Sequence, residues 1–299
     1  MRIATAAYPL DWFESWEDFA AKQRSWVAEA VAHGAELLVF PEYGSMELSS
    51  LGGRNAAKDL EASLHVVSGL IPEADALYCD LAREFGVHIL APTAPVFDPA
   101  EHDSRPMNRA RLITPKGTIG IQDKQIMTMG ERDPMDVAPG GDLRLFDTGL
   151  GKMGIVTCYD SEFPLISRAL VEAGAEILLV PSCTSALSGY WRVRIGAMGR
   201  ALEGQCVSVM ASLVGRANWC EGFEQTTGMG GVFGPPDTGF PETGVLAEGT
   251  LGQAGWTYAD VTLDQIAHVR RDGVVRNATH WMERTPGGRA LPTTYCDLR

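Results

Sequence analysis

The sequence has no uninterrupted apolar run near the roughly 18 residues that span a bilayer. Its first residues lack the basic segment and the long apolar segment of a signal peptide. Basic residues are few, since 25 Lys and Arg stand against 38 Asp and Glu and give a formal net charge of −13. That charge argues against nucleic acid and anionic membranes as partners. We therefore expect a soluble, cytoplasmic protein.

Paired cysteines are also missing. The six cysteines are widely spaced and form no C-x-x-C pair: Cys79, Cys158, Cys183, Cys206, Cys220 and Cys296. In a chain of 299 residues, this spacing excludes a disulfide framework and a zinc site. Most of these cysteines are expected to be small buried apolar side chains. The question is whether one of them is a nucleophile.

No linker or low-complexity block interrupts the composition, which is 45% hydrophobic. A chain of this length can bury a large core, as one large domain or two smaller ones. Because no boundary is visible, we expect a single domain over residues 1–280. Residues 281–299 are rich in Pro and Gly, which favours an arm over a helix.

Two segments of the chain resemble each other. "GAELLVFPE" at 34–42 and "GAEILLVPS" at 174–182 are short apolar runs that end at Pro and follow a helical pattern with a terminal Gly. Each of those helices follows another apolar run, at Ile3–Ala7 and Met153–Thr157. These patterns predict two strand–helix–strand units. The similarity reflects either an internal duplication or a pattern that is common in α/β proteins.

Further alternating segments predict more strands and helices. Strands are expected at 86–97, 108–120, 143–149, 206–215 and 255–260, and helices at 189–205 and after 260. Several short strands that alternate with helices indicate an α/β fold. We expect two sheets covered by helices in a layered sandwich.

Chemically capable side chains lie at three positions along the chain. Glu42 follows the second run of the first unit, Cys158 follows the first run of the second unit, and Lys124 with Glu131 lies between them. In α/β folds, reactive groups gather at the ends of parallel strands. The sequence therefore predicts that these four side chains form one site.

Cys158 needs activation, because a free thiol with a pKa of about 8.5 is mostly protonated at neutral pH. Pro164 is expected in the first turn of the following helix with Asp160 or Ser161 as its cap, which would place the thiol near a helix N-terminus. A lysine ammonium about 4 Å away would favour the thiolate by roughly 4 kcal/mol at an effective dielectric of about 20. A glutamate whose pKa is raised by burial could then accept the thiol proton, so no histidine is required.

These residues resemble the nitrilase superfamily of carbon–nitrogen hydrolases, whose signature is Glu, Lys and Cys in that chain order. The matching segments are "LLVFPEYG" at Glu42, "DKQIMTMGERD" at Lys124 and "GKMGIVTCYDSEFPLISRAL" at Cys158. The resemblance covers roughly residues 1–262. It implies a four-layer α-β-β-α sandwich with two pseudo-symmetric halves, and a reaction that needs no metal or organic cofactor.

The resemblance also implies roles for the site residues. Cys158 would attack a carbonyl carbon and form a thioester, while Glu42 would accept and return protons. Lys124 and the backbone N–H of Tyr159 would hold the oxyanion. Glu131, seven residues after Lys124, matches a second family glutamate and would position Lys124 or the substrate amide. Cys183 and Trp191 are expected to line the substrate pocket.

The residues after the cysteine bear on the substrate. Cys-Tyr-Asp is closer to the amidase and carbamoyl-hydrolase branches than to true nitrilases, which tend to have Cys-Trp-Glu. Glu162 would repel a substrate carboxylate, so we expect a neutral or cationic amide. The competing expectations for that side chain are that it points to solvent or forms a salt bridge with Arg168.

Other functions stay open at this point. They are hydrolysis of N-carbamoyl amines, acyl or amido transfer on the same scaffold, nitrile hydrolysis, a non-catalytic binding protein and a conventional Cys–His hydrolase. The resemblance further implies a homodimer or higher homo-oligomer that pairs through the helix after Cys158 and the helix at Arg192–Leu202. We expect the arm at 281–299 to wrap a neighbouring subunit.

Overall fold

The computed structural model describes residues 1–100, 104–284 and 296 of the chain. Within these residues the chain forms fourteen strands and eight α-helices. The strands are β1 (Arg2–Tyr8), β2 (Leu37–Val39), β3 (His88–Phe97), β4 (Pro106–Ile113), β5 (Ile119–Asp123), β6 (Leu145–Thr148), β7 (Gly151–Ile155), β8 (Ile177–Ser182), β9 (Val207–Leu213), β10 (Gly215–Arg216), β11 (Gln225–Thr226), β12 (Gly231–Phe233), β13 (Val245–Glu248) and β14 (Gly255–Asp260).

The helices are α1 (Trp16–Ala32), α2 (Gly53–Ala57), α3 (Leu60–Phe85), α4 (Met129–Arg132), α5 (Pro164–Glu172), α6 (Leu187–Gly204), α7 (Leu263–Asp272) and α8 (Asn277–Arg284). Two 3₁₀ turns, at Gly44–Gly52 and Cys158–Glu162, complete the described elements. No helix in the described part of the chain is long and apolar enough to cross a bilayer.

The strands form two halves that match strand by strand. In the first half β1, β2 and β3 run parallel, β4 and β5 follow antiparallel to one another, and β14 flanks β1. In the second half β7, β8 and β9 run parallel, β12 and β13 continue antiparallel, and β6 flanks β7. One short parallel pairing joins the halves, where Ala7 and Tyr8 of β1 meet the end of β9. This arrangement confirms the two pseudo-symmetric halves.

Alternation along each strand divides the core into layers, because successive side chains point to opposite faces. In β2, Leu38 packs with α1 and α3, whereas Leu37 and Val39 face the other sheet. In β8, Leu179 faces the first half, whereas Leu178 packs with α5. The order is thus helices, sheet, sheet, helices, and the predicted four-layer α-β-β-α sandwich is confirmed.

The long helix α3 and the hairpin of β12 and β13 are not predicted from the sequence. Helix α3 begins at the cap Asp59, whose side chain accepts the Ala62 N–H, and ends at Gly86 with φ +69°. Pro72 lies inside it, and a proline removes one helical hydrogen bond. Its buried positions nevertheless follow the helical spacing and cover the first sheet, so packing outweighs the local cost.

The expected arm is helical at its start. Residues 280–284 belong to α8, and the Trp281 indole N–H donates to the Glu203 carbonyl of α6 in the same chain. The guanidinium of Arg168 lies 4.6 Å from the centroid of the Trp281 ring. The expectation of a non-helical arm from residue 281 is therefore wrong for this first part. Most of 285–299 lies outside the described residues, so its contact with a neighbouring subunit stays a prediction.

Candidate active site

Three strands that belong to different parts of the chain bring the candidate residues to one edge of the sandwich. Glu42 lies three residues after β2, Lys124 directly follows β5, and Cys158 lies three residues after β7. Strands β2 and β5 point the same way, because β3 is parallel to β2 and two antiparallel pairings separate β3 from β5. Their carboxyl ends therefore meet at the same edge, as the sequence predicts.

Lys124 occupies the centre of the site, between two carboxylates. Its Nζ lies 2.7 Å from Oε1 of Glu42 and 2.6 Å from Oε2 of Glu131. All three side chains are buried, with at most 4% of the surface of any of them exposed. Ions removed from water are stable only when their remaining hydrogen-bonding capacity is satisfied. The neighbours of the two carboxylates supply the remaining donors.

Two of those donors escape the sequence analysis. The Asn108 side-chain amide donates to Oε1 of Glu42 at 2.9 Å and to Oε1 of Glu131 at 3.0 Å. The Tyr43 hydroxyl donates to Oε1 of Glu131 at 2.9 Å. Asn108 is held in turn by the Thr93 hydroxyl, which donates to its side-chain oxygen at 2.7 Å. Tyr43 adjoins Glu42 in the quoted motif, whereas nothing in the sequence distinguishes Asn108 from other polar strand residues.

Glu131 is fixed by a local motif as well. It stands three residues after Thr128 at the start of α4, and the two residues form a capping box. The Thr128 backbone N–H and hydroxyl both donate to Oε2 of Glu131 at 2.9 Å. The spacing Thr-x-x-Glu is visible in the sequence and is the signal that would have identified this turn. The capping box therefore holds the Glu131 side chain in place where it contacts Lys124.

Cys158 begins a 3₁₀ turn and not an α-helix. Its backbone has φ +49°, a left-handed conformation that is uncommon for a residue with a side chain and that marks constrained functional sites. Helix α5 starts at Pro164 as predicted, but its N-cap is Phe163, which provides no side-chain cap. The expectation that Asp160 or Ser161 caps α5 is therefore wrong. The Asp160 carboxylate instead accepts backbone N–H groups from the segment after Lys124.

The backbone of Cys183 joins the nucleophile to the base. The Cys158 thiol contacts the Cys183 carbonyl oxygen at 3.7 Å, and the Cys183 N–H donates to Oε2 of Glu42 at 2.9 Å. Cys183 follows the last residue of β8, so the second half of the fold contributes this link. The sequence predicts Cys183 as a lining residue, and the structure adds that its peptide groups orient Glu42 and Cys158.

The pKa of the Cys158 thiol is raised well above its ordinary value. Burial is the main cause, the nearby Glu42 carboxylate adds to it, and the Lys124 charge offsets only part of the rise. The expectation that this thiol is acidified is wrong, because burial outweighs the Lys124 charge and the residue lies in a 3₁₀ turn that precedes α5. Burial also raises the pKa of Glu42, as expected, although Lys124 opposes the rise. The resting thiol is therefore neutral.

Glu131 and Lys124 are shifted toward their charged forms. Burial acts to raise the pKa of Glu131, but the Lys124 charge and several donated hydrogen bonds lower it on balance. Burial acts to lower the pKa of Lys124, but Glu42 and Glu131 raise it well above its ordinary value. Lys124 and Glu131 thus form a permanent ion pair. Glu42 is left as the group that can exchange a proton.

A cavity of about 910 Å³ opens over these groups. Of the predicted binding residues, Tyr159, Glu162 and Cys183 line it. Trp191 does not, so its assignment to the pocket is wrong. Its ring is 45% exposed and lies against Tyr190, because the helical turn directs the neighbouring Arg192 and Val193 toward the cavity instead.

Glu162 lies at the cavity wall and pairs with a different arginine from the one expected. Its Oε1 lies 3.4 Å from Nε of Arg192, which also lines the cavity. Arg168 pairs with Glu172 within α5, so the alternative salt bridge between Glu162 and Arg168 is wrong. Since α6 crosses the 3₁₀ turn, it brings Arg192 to Glu162 across 30 residues of sequence. Neither partner carries an isolated charge into the cavity.

The site brings together a cysteine, two glutamates and a lysine. The chain belongs to the carbon–nitrogen hydrolase family. The family profile matches residues 2–271. The chain is 31% identical to the Probable hydrolase YhcX of Bacillus subtilis over 92% of this chain and 52% of that protein. It is 32% identical to the Deaminated glutathione amidase of Mus musculus over 64% of this chain and 59% of that protein. The chain thus spans little more than half the length of these relatives.

Solved structures show the same fold. The Nit3 protein of Saccharomyces cerevisiae, from the nitrilase superfamily, superposes with a TM-score of 0.70 at 18% identity, covering 91% of this chain and 93% of that one. An amidase of Nesterenkonia sp. AN1, solved with butyramide, gives a TM-score of 0.65 at 22% identity, covering 89% and 93% of the two chains.

The substitution Glu42→Gln should make the resting thiol more acidic. The Glu42 charge raises the pKa of Cys158, so its removal should lower that pKa and speed the reaction of the thiol with a methanethiosulfonate at neutral pH. The measurement is the pH dependence of Cys158 modification by methyl methanethiosulfonate, followed by peptide mass spectrometry. Glu248→Gln, which removes a carboxylate outside the cavity lining, is the control. An apparent thiol pKa that stays at or rises above the wild-type value would contradict this account.

Proposed function

We propose that the protein hydrolyses a small linear amide through a thioester on Cys158, with Glu42 as general base and acid and Lys124 as oxyanion donor. The observation that supports this most directly is the buried arrangement of Glu42, Lys124, Glu131 and Cys158 beside the cavity. A neutral thiol next to a carboxylate of raised pKa is suited to proton transfer at the moment of attack.

In the first half of the reaction, the Cys158 thiol passes its proton to Glu42 as sulfur bonds to the carbonyl carbon. The carbonyl electron pair moves to oxygen, and this oxyanion accepts hydrogen bonds from Lys124 Nζ and the Tyr159 N–H. The intermediate collapses when Glu42 gives its proton to the departing nitrogen. Ammonia or an amine leaves, and the acyl group remains on sulfur as a thioester.

In the second half, Glu42 accepts a proton from water as the water oxygen bonds to the thioester carbon. The new oxyanion occupies the same donors, and its collapse breaks the bond from carbon to sulfur. The proton on Glu42 returns to Cys158, and the carboxylic acid leaves. Glu131 takes no proton in this scheme, because its ion pair with Lys124 keeps the pKa of Glu131 low. It holds the ammonium in place.

The charges of the site favour a neutral or cationic substrate over an anionic one. Two carboxylates and one ammonium, from Glu42, Glu131 and Lys124, leave the catalytic cluster with a net negative charge before attack. At the cavity wall, Glu162 and Arg192 neutralise each other. An anionic acyl group would therefore meet repulsion from the catalytic cluster. The amidase solved with butyramide, a neutral aliphatic amide, is consistent with this proposal.

A carbamoyl group differs from an amide only in the atom attached to its carbonyl carbon, so N-carbamoyl amines are the second candidate substrates. Acyl transfer is a third possibility, because an amine could replace water at the thioester. Nitrile hydrolysis would begin with the same thiolate attack. Product analysis with added hydroxylamine separates transfer from hydrolysis, since a transferase would form the hydroxamate in preference to the acid.

The variant Glu42→Gln should trap the thioester when it is mixed with a substrate. Glutamine cannot exchange protons in either half of the reaction, but the more acidic thiol of this variant offsets part of the loss during attack. Deacylation should therefore slow by about 100-fold or more, and by more than acylation does. Intact mass spectrometry after incubation with aliphatic amides, N-carbamoyl amines and nitriles should show an increment whose size identifies the acyl group. Cys158→Ala, which lacks the nucleophile, should show no increment. An adduct that persists in Cys158→Ala would overturn the assignment of the nucleophile.

Substitution of Arg192 by Ala should change selectivity by substrate charge. It frees the Glu162 carboxylate at the cavity wall, so kcat/KM for a cationic amide should rise several-fold relative to a neutral amide of similar size. The effect is modest because Arg192 is 61% exposed and solvent screens the pair. Arg271→Ala, at an exposed arginine outside the cavity lining, controls for the loss of a positive charge. If kcat/KM for the cationic amide relative to the neutral amide stays unchanged, the substrate does not bind near Glu162 and Arg192.

We also propose a homodimer that pairs through α5 and α6. Three apolar side chains lie exposed one helical turn apart on α6, namely Leu187, Trp191 and Ile195, and Leu165 is 76% exposed on α5. Replacing Ile195 by Glu should therefore convert the dimer to a monomer in light scattering after size exclusion. Val274→Glu, at an exposed valine beyond α7, should leave the dimer intact. A wild-type protein that is monomeric at micromolar concentration would refute this proposal.

A further inference from the structure

Asp160 is a buried carboxylate that the proposed mechanism does not use. It lies two residues after Cys158 in the same 3₁₀ turn, with only 2% of its surface exposed. Its Oδ2 accepts the Gln125 N–H at 3.1 Å, and its Oδ1 accepts the Ile126 N–H at 2.7 Å. Both carboxylate oxygens therefore bind the two peptide groups that directly follow Lys124.

The other side of Lys124 is anchored to the first half of the fold. The Lys124 N–H donates to the Asn108 carbonyl at 3.0 Å, and the Lys124 carbonyl accepts the Gly140 N–H at 2.7 Å. A side chain at Gly140 would lie 2.6 Å from the Asp123 carbonyl oxygen, so this approach depends on glycine. Lys124 is thus held on one side by its own half, and Asp160 links its other side to the turn that carries the nucleophile.

We propose that Asp160 is a positioning residue which holds the Cys158 turn against the Lys124 segment, and that turnover requires its ionised form. The proposal rests on the hydrolase function proposed above. A carboxylate offers two equivalent acceptor oxygens for two N–H donors, whereas a protonated carboxyl group has a hydroxyl that is a poorer acceptor. Protonation would therefore loosen one of the two hydrogen bonds that set the distance from Cys158 to Lys124.

The environment of Asp160 places this protonation in the neutral range. Burial raises the pKa of Asp160 to about 7, while the Lys124 charge and the two backbone hydrogen bonds oppose the rise and the Glu42 charge adds to it. From the opposite side of the turn, Arg200 of α6 donates to the Ser161 carbonyl at 3.1 Å. Turnover should consequently fall as the pH drops through about 7.

Stability should follow the opposite course with pH. A carboxyl group whose pKa is higher in the folded state than its ordinary 3.8 stabilises the fold most at pH values below 3.8. That contribution is lost as the pH rises through about 7, where Asp160 ionises inside the protein. Ionisation of Asp160 therefore makes the fold less stable, whereas turnover requires the ionised form. Because activity and stability change in opposite directions with pH, the two measurements distinguish a positioning role from a purely structural one.

The test compares Asp160→Asn and Asp160→Glu with the wild type over pH 5–9. Asn offers one acceptor oxygen and does not titrate, so kcat should fall by about 10- to 100-fold with KM nearly unchanged. In Asp160→Asn, the fall in kcat as the pH drops through about 7 should also be absent. Glu restores two acceptors, so the dependence near pH 7 should return with a rate between those of Asn and the wild type. The thermal midpoint of Asp160→Asn relative to wild type should rise from pH 5 to pH 8.

Asp123→Asn is the matched control, since Asp123 precedes Lys124, is buried, and pairs with Arg109 instead of the nucleophile turn. It should lower the thermal midpoint and keep the pH dependence near 7. If turnover by Asp160→Asn still falls as the pH drops through about 7, the titrating group is Glu42 and the proposal is overturned. If no variant turns over any amide, the hydrolase function fails, and alkylation of Cys158 at pH 8 still decides the positioning role. Alkylation of Cys158 that is slower in Asp160→Asn than in the wild type supports the positioning role of Asp160, and equal rates overturn that role.

Discussion

The structure of the site depends on the burial of Lys124 between two carboxylates. Removing three charges from water is costly, and the cost is met only if each charged atom keeps its hydrogen bonds. Glu42 and Glu131 therefore require a surrounding set of donors, which Asn108, Tyr43 and the loop peptides supply. The strand ends that carry these donors must meet within hydrogen-bonding distance. The architecture of both halves is consistent with that requirement.

The same burial explains why the nucleophile rests as a thiol. A thiolate would add a further negative charge beside Glu42, and in a dry pocket that charge is unfavourable even with Lys124 nearby. In the proposed reaction, the site would keep both the Cys158 proton and the proton-accepting capacity of Glu42 until a substrate carbonyl can take up the charge. Lys124 is then already in place as a donor, so little reorganisation is needed when the oxyanion forms.

Neither half of the sandwich contains a complete site. The first half carries Glu42, Lys124 and Glu131, whereas Cys158 and the orienting peptide of Cys183 come from the second. The sheets meet across a layer of buried apolar side chains, and β1 and β9 share one short pairing. Correct alignment of sulfur, carboxylate and ammonium consequently depends on the relative placement of two packed sheets. Polar links such as the one made by Asp160 refine that placement.

The sequence by itself determined the α/β class, the two repeated units, the position of Glu42, Lys124 and Cys158 at strand ends, and the membership of Glu131 in the same site. Local patterns suffice for these, because apolar runs and their terminators are contiguous in the chain. Only the tertiary structure decided that Asn108 bridges the two glutamates, that Trp191 faces away from the cavity and that burial raises the pKa of the thiol. Those properties depend on neighbours supplied by distant segments, and on the exclusion of water, which no local pattern records.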